Sequence, residues 1–252
     1  MKISRINEIE RYLMDNKFAS ITDLCEHFSV SQNTIRRDIA DLCSRGIAEK
    51  VYGGIVLRDG HNVVPYNMRS VSNIDEKNEL ARLASRYIQD GETIYIDSGT
   101  TTPYLMRFIP QDCHITIISN SLNIYNESEQ LPNANVISTG GLFYRYTNSF
   151  IGVSAISMLS NYHITKAFMA ATGITIETGA TNNSFHEAEM KKAVVNRCNK
   201  IILMADSTKV DKAASISFCP LKSLFAFVTD KKPPRHYIDY FDQNNIELLF
   251  GN

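Results

Sequence analysis

The stretch ETIYIDSGTTTPYLMRFI, residues 92–109, decides how most of this chain is read. ETIYI alternates β-branched and aromatic residues and predicts a strand, while PYLMRFI predicts a helix. Between them DSGTTT packs four hydroxyls and a glycine into the handover. The same grammar repeats down the chain, with strands expected at 92–97, 115–119, 134–138, 166–171, 200–205, 224–229 and 246–250 and helix-like runs between them. Such alternation implies an α/β domain with a mainly parallel sheet and helices on both faces.

Ligands of such sheets bind outside the carboxyl ends of the strands, so the residues following each strand are read together. They are DSGTTT, then SNS at 119–121 with Asn120 and Ser121, then STGG at 138–141 with Gly140 and Gly141, then ATGI at 171–174 and ADSTK at 205–209. Each alone is what a strand-to-helix turn ordinarily contains. Together they point to a polar small-molecule pocket. DSGTTT reads either as a plain helix cap or as a phosphate cradle. In the second reading Gly99 lets the backbone curl and the amides of 99–102 face one cavity. Ser98, Thr100, Thr101 and Thr102 add hydroxyl donors, Pro103 fits the first helical turn, and Asp97 accepts from sugar hydroxyls. Lys209, with Arg145 or Lys192, is the expected countercharge.

The first 57 residues follow a different pattern. Ile3, Ile6, Ile9 and Leu13 recur at helical spacing. Ser20 opens a capping box with Asp23, ahead of an apolar stripe of Ile21, Leu24, Cys25 and Phe28. After a turn at Ser29–Val30, Ser31 caps a third helix whose core face is Ile35, Ile39, Leu42 and Cys43 and which Gly46 stops. Two helices joined this tightly make a helix-turn-helix. The outer face of the third helix carries Asn33, Arg37, Ala40 and Ser44, flanked by Thr34 and Arg36. Asn and Arg can each bond two atoms of a base edge, although charged residues on an outer face are also what solvent alone would select. AEKVYGGIVL then predicts a hairpin about Gly53-Gly54, a wing able to lay Lys50 and Gly53 along a phosphate backbone.

SITDLCEHFSVSQNTIRRDIADL followed by YGG, with TIRRD at 34–38 its most specific piece, resembles the DeoR family of bacterial transcriptional regulators. By that resemblance Gln32, Asn33, Thr34, Arg36 and Arg37 are operator-reading positions on double-stranded DNA. The resemblance extends through DEK at 75–77, DSGTTT, SNSL, TGG with Arg145, ATGI, EAEMKKA at 187–193 with Glu187, DSTK and VTD at 228–230. It implies a second domain similar to sugar-phosphate isomerases such as ribose-5-phosphate isomerase, answering to a phosphorylated sugar, and it implies repression. The expected organisation is a winged helix-turn-helix at 1–57, a linker at 58–74 and an effector-sensing domain at 75–252.

An isomerase would need a positioned general base, for which Asp97, Glu187 and Asp206 are available. A tethered DNA-binding domain instead gives a binding-only pocket a purpose, so a sensor ranks above an isomerase-type enzyme with an accessory DNA-binding domain. HEAEM at 186–190 lacks the second histidine of a zinc-protease site, and the five cysteines form no CxxC pair, so neither a metal nor another cofactor is expected. The net charge of −1 argues for no nucleic-acid partner by itself, so the DNA-binding reading rests on placement of charge. No run is long and apolar enough for a membrane span, no signal peptide is legible, and the chain reads as cytoplasmic. A single small DNA-binding domain is a poor specificity device, so a homodimer or homotetramer is expected.

Overall fold

A computed structural model describes residues 2–16, 18–45, 47–51, 54–57 and 66–251. The chain divides into two compact units, residues 1–64 and 65–252.

The first unit begins with α1 (Lys2–Asn16), β1 (Phe18–Ser20), α2 (Ile21–Phe28) and α3 (Gln32–Ser44). Two strands follow, β2 (Ala48–Val51) and β3 (Gly54–Leu57). The capping box forms as its residues dictate: Ser20 Oγ accepts from the Asp23 amide at 3.0 Å, and Asp23 Oδ2 accepts from the Ser20 amide at 3.2 Å. Ser29 takes the left-handed conformation (φ 51°) between α2 and α3, and Ser31 caps α3 through the Thr34 amide. Ile6, Ile9, Leu13, Leu24, Ile35, Ile39 and Leu42 meet in the core. The hairpin of β2 and β3 is present, and it gains a third strand the sequence did not announce. β1 pairs antiparallel with β3, so closely that a Cβ on Gly54 would meet the Ala19 carbonyl oxygen at 2.2 Å.

The second unit opens with α4 (Tyr66–Ser70) and α5 (Ile74–Ala84). Both lie within or at the edge of the stretch read as a linker, so at least Tyr66–Ser70 is not linker. It is anchored within the second unit, with the Tyr66 amide donating to the distant Tyr146 carbonyl and Lys77 Nζ to the Arg69 carbonyl. Residues 58–65 lie outside the described ones.

Seven parallel strands form the central sheet: β4 (Thr93–Ile96), β5 (Thr116–Ser119), β6 (Asn135–Ser138), β9 (Lys166–Ala170), β12 (Ile201–Met204), β14 (Ala226–Thr229) and β15 (Glu247–Phe250). They are the seven strands expected from the sequence. Their spatial order is β15-β14-β12-β9-β4-β5-β6. The chain therefore runs outward from β4 in one direction, then returns and builds β9 on the other side of β4. Alternate side chains enter two cores, as a sheet covered on both faces requires. Ile94, Ile96, Phe168, Ile202 and Met204 lie on the side of α5 and α6 (Leu122–Glu127). Tyr95, Ala167, Met169, Leu203 and Phe227 face α7 (Val153–Leu159), α8 (Phe185–Val195) and α9 (Arg235–Gln243).

Two small sheets lie beyond the expected strands. A hairpin joins β7 (Leu142–Tyr144) to β8 (Ser149–Ile151), and an antiparallel sheet joins β10 (Gly173–Thr175), β11 (Gly179–Asn182) and β13 (Ile216–Cys219). The run after DSGTTT is also not the expected α-helix but a 3-10 helix over Thr102–Phe108.

Candidate functional site

On α3 the residues expected to read DNA are presented outward. Gln32, Asn33, Arg36 and Arg37 are exposed, while Ile35, Ile39 and Leu42 bury the opposite face. Asp38, in the middle of TIRRD, is buried and accepts from Arg5 Nε at 2.6 Å, tying α3 to α1. Its acidic charge is thereby neutralised behind the basic face. Thr34 is less free than expected, because its hydroxyl lies 3.0 Å from Ser31 Oγ at the helix cap. Lys50 is exposed on β2. Gly53 lies outside the described residues.

In the second unit the strand order reverses between β4 and β9, the place where a crevice opens at the carboxyl edge of such a sheet. A cleft lies there. Gly99, Thr100 and Thr101 after β4, and Ala170, Ala171 and Thr172 from β9 onward, form its floor. Asp206 and Lys209 enter from the loop after β12, and Asn182, Glu187 and Lys191 from β11 and α8. Arg69, Ser72, Asn73 and Lys77, from α4 to α5, close it.

DSGTTT divides into a frame and a face. Asp97 is buried, and both its oxygens are used within the protein. Oδ1 accepts from the Gly99 amide and from Thr102 Oγ1, each at 2.8 Å; Oδ2 accepts from the Ala170 amide at 2.8 Å and from Lys191 Nζ. Asp97 and Thr102 therefore build the turn instead of contacting a ligand, and the Gly99 amide is already engaged. With the Gly99 amide spent inside the turn, the cradle of amides expected at 99–102 is reduced to those of Thr100, Thr101 and Thr102 at the start of a 3-10 helix. Glycine is required at 99 because a Cβ would meet that of Ala170 at 2.7 Å. The face is Thr100 and Thr101, whose hydroxyls have no partner among the described residues.

Of the other expected effector residues, Glu187 and Lys209 line the cleft, whereas Ser98, Asn120, Ser121, Gly140, Gly141 and Arg145 do not. The topology explains this, since the turns after β5 and β6 lie beyond β4 on the side away from the reversal. Asn120 Oδ1 accepts from the Tyr95 hydroxyl at 2.8 Å, and its Nδ2 donates to the Phe150 carbonyl at 3.1 Å, binding the β7–β8 hairpin to the sheet. Ser98 is buried within 3.5 Å of the same Nδ2, and Ser121 is buried at the start of α6. Gly140 donates its amide to Ser138 Oγ in the turn toward β7, and Arg145 is exposed beyond Tyr144. Lys192 pairs with Glu189 on the outer side of α8, and its neighbour Lys191 is the buried cation.

The cleft gathers four cations, Arg69, Lys77, Lys191 and Lys209, against Glu187 and Asp206. Lys191 is committed to Asp97 and the Ala170 carbonyl, and Asp206 Oδ1 accepts from the Thr208 amide at 3.0 Å. Lys209 is half-buried, with no acceptor for its ammonium group among the described residues. Burial pushes Lys77 down to about 8, with Lys209 and Arg69 adding to the fall and Asp206 opposing it. Burial raises Glu187 above the usual carboxylate range against the pull of Arg69 and Lys191, and its Oε2 is buried without a hydrogen-bond partner. Such a site suits an anion at one end and a hydroxyl donor at Glu187.

Lys77 and Lys191 carried a legible signal. Lys77 shares a helical stripe with Leu80, Ala81 and Ala84, and Lys191 one with Glu187, Ala188 and Val194, so each is a charge on a buried face. Arg69 carried none, standing in what reads as a linker.

Residues 5–60 match the DeoR-like helix-turn-helix domain, and residues 72–231 match the DeoR C terminal sensor domain. The HTH-type transcriptional regulator IolR of Bacillus subtilis is 38% identical over 98% of this chain and 99% of its own. The HTH-type transcriptional regulator GolR of Listeria innocua is 31% identical over 90% of each chain. Among solved structures, ribose 5-phosphate isomerase A from Methanocaldococcus jannaschii aligns with a TM-score of 0.42 at 18% identity, over 55% of each chain. With a helix that presents an arginine pair in its first unit and a cleft-bearing parallel sheet in its second, the chain belongs to the DeoR family of transcriptional regulators.

Proposed function

We propose that this regulator is a repressor of a carbohydrate-utilisation operon, which binds its operator through α3 and the hairpin and changes its operator affinity when a phosphorylated sugar or polyol fills the cleft. The cleft carries this reading. It holds more cations than anions, two unengaged threonine hydroxyls and a carboxylate oxygen lacking a donor, a set complementary to a phosphate joined to hydroxyls. Among the relatives, the glycerol-3-phosphate regulon repressor of Escherichia coli, 25% identical over 97% of each chain, is named for the regulon of a phosphorylated polyol. Thr100, Thr101, Lys77, Lys209 and Arg69 are the phosphate-facing groups, and Glu187 receives a sugar hydroxyl. A binding role without turnover is favoured because a tethered DNA-binding domain gives a binding-only pocket a purpose. Asp97 is held by Lys191, two amides and the Thr102 hydroxyl, whereas Glu187 keeps an oxygen without a donor, so a turnover assay with pentose and hexose phosphates separates sensor from isomerase.

The test begins with a duplex selected from a random library by the purified protein. Arg37→Ala weakens binding to that duplex by roughly 5–150-fold, the range of a base contact. Lys50→Ala lowers the salt slope by about one unit, as loss of one phosphate contact does. Neither changes the rise in melting temperature produced by phosphorylated sugars over their unphosphorylated parents. If no phosphorylated sugar raised that temperature or altered duplex affinity, the effector reading would fail while the DNA-binding reading stood.

A further inference from the structure

A second polar cavity adjoins the cleft. Its walls are Tyr66 and Ser70 of α4, Pro103, Tyr104 and Arg107 of the 3-10 helix, and Asn123 and Glu127 of α6. Thr100 lines both spaces. Helix α4 also serves both, sending Arg69 into the first and Tyr66 and Ser70 into the second.

The two compartments differ in charge. The first holds four cations. The second holds one, Arg107, whose guanidinium carbon lies 4.7 Å from the centre of the Tyr104 ring and which is offset by the single carboxylate of Glu127. A phosphate has no reason to prefer the second. What it offers instead is two phenol hydroxyls, a serine hydroxyl and an amide. Asn123 Oδ1 accepts from Asn148 Nδ2 at 3.0 Å, which fixes the side chain and leaves its own Nδ2 buried with no acceptor. A buried donor left without an acceptor costs about 1–3 kcal/mol, so the site is incomplete without an oxygen from outside the protein. Aromatic rings beside hydroxyl, amide and carboxylate groups match a neutral polyhydroxylated carbon chain, whose C–H faces pack on rings and whose oxygens both donate and accept.

We propose that this cavity is a second subsite for the same effector, holding the neutral, hydroxylated end of a phosphorylated sugar or polyol whose phosphate lies in the first compartment. The proposal rests on the phosphate reading of the cleft and narrows the ligand class, because an effector spanning both spaces is longer than a three-carbon phosphate. Selectivity for chain length then resides in Asn123, Tyr104 and Tyr66, and selectivity for phosphate in the cations.

Calorimetric titration of the full chain with glycerol 3-phosphate, ribitol 5-phosphate and a set of hexose and hexitol 6-phosphates tests this. Affinity is expected to rise with length. Asn123→Asp, which keeps the acceptor for Asn148 and removes the unpartnered donor, weakens a six-carbon phosphate at least about 10-fold. The same change moves glycerol 3-phosphate less than about twofold. Tyr104→Phe, which keeps the ring and removes one hydroxyl, gives the same pattern in smaller degree and serves if Asn123→Asp does not fold. A flat length series that still requires phosphate, or variants that weaken short and long ligands alike, would sink the second subsite and leave the cleft reading intact. Binding independent of phosphate would overturn both.

Discussion

Asp97 and Thr101 stand in one six-residue motif and do opposite work. Asp97→Ala strands Lys191, a buried cation, and releases the turn; breaking such a pair costs about 3–5 kcal/mol. Thr101→Val replaces only the hydroxyl that faces the cleft, so stability should stay within about 0.5 kcal/mol while affinity for a phosphorylated effector falls about tenfold. Denaturant unfolding and ligand titration of the two variants separate the roles, and equal stability losses would refute the division of the motif. Lys77 gives a second prediction. Its folded value, about 8, lies below the ordinary 10.5, so between those pH values the unfolded chain holds the proton more tightly, and Lys77 makes stability rise with pH across that window. An anion beside it restores its proton. Effector binding at pH 8 should therefore take up about half a proton, and affinity should fall as pH climbs past 8. Calorimetry in buffers of different ionisation heat reads that uptake, and its absence, or its persistence in Lys77→Met, would remove Lys77 from the ligand.

What the sequence made legible at the level of elements follows from where each element gets its stability. The central strands announce themselves because both their faces are buried, leaving near-continuous runs such as TIYI and IILM. The two DNA-binding helices announce themselves through local capping at Ser20 and Ser31. β1, β7, β8, β10 and β11 are only three or four residues long, and GATN of β11 has no strand pattern of its own. They exist through pairings with other segments, and those of β1 with β3 and of β11 with β13 reach beyond any local window. The same limit acted on the site. The residue types along the strand ends were legible, but the side of β4 on which β9 would return was not, and that choice decides that Thr100 and Lys209 share a cleft from which Asn120 and Gly141 are absent. In the hairpin, Gly54 has no room for a side chain against Ala19. Gly54→Ala should cost about 1–3 kcal/mol or part β1 from β3. Hydrogen exchange in β1 and the strength of non-specific duplex binding should both report it, and unchanged protection of β1 would show that the contact yields.

For the molecule as a whole, one short recognition helix reads few base pairs, so two copies are expected on one operator. Sedimentation of the protein alone should give a mass of at least two 28.4 kDa chains, and footprints on the selected duplex should show two inverted half-sites. A monomer protecting one half-site would contradict this. Helix α4 bears on how the two halves can be studied apart. The sensor family match starts at residue 72, which invites a cut there, yet Tyr66–Ser70 supplies a wall of the effector cleft and the carbonyl that holds Lys77. An isolated C-terminal half beginning at residue 72 would fold around a breached pocket and report a falsely weak ligand. One beginning before Tyr66 would keep the pocket whole, so the segment leading out of the DNA-binding half belongs, for any dissection of this protein, to the chemistry of the other.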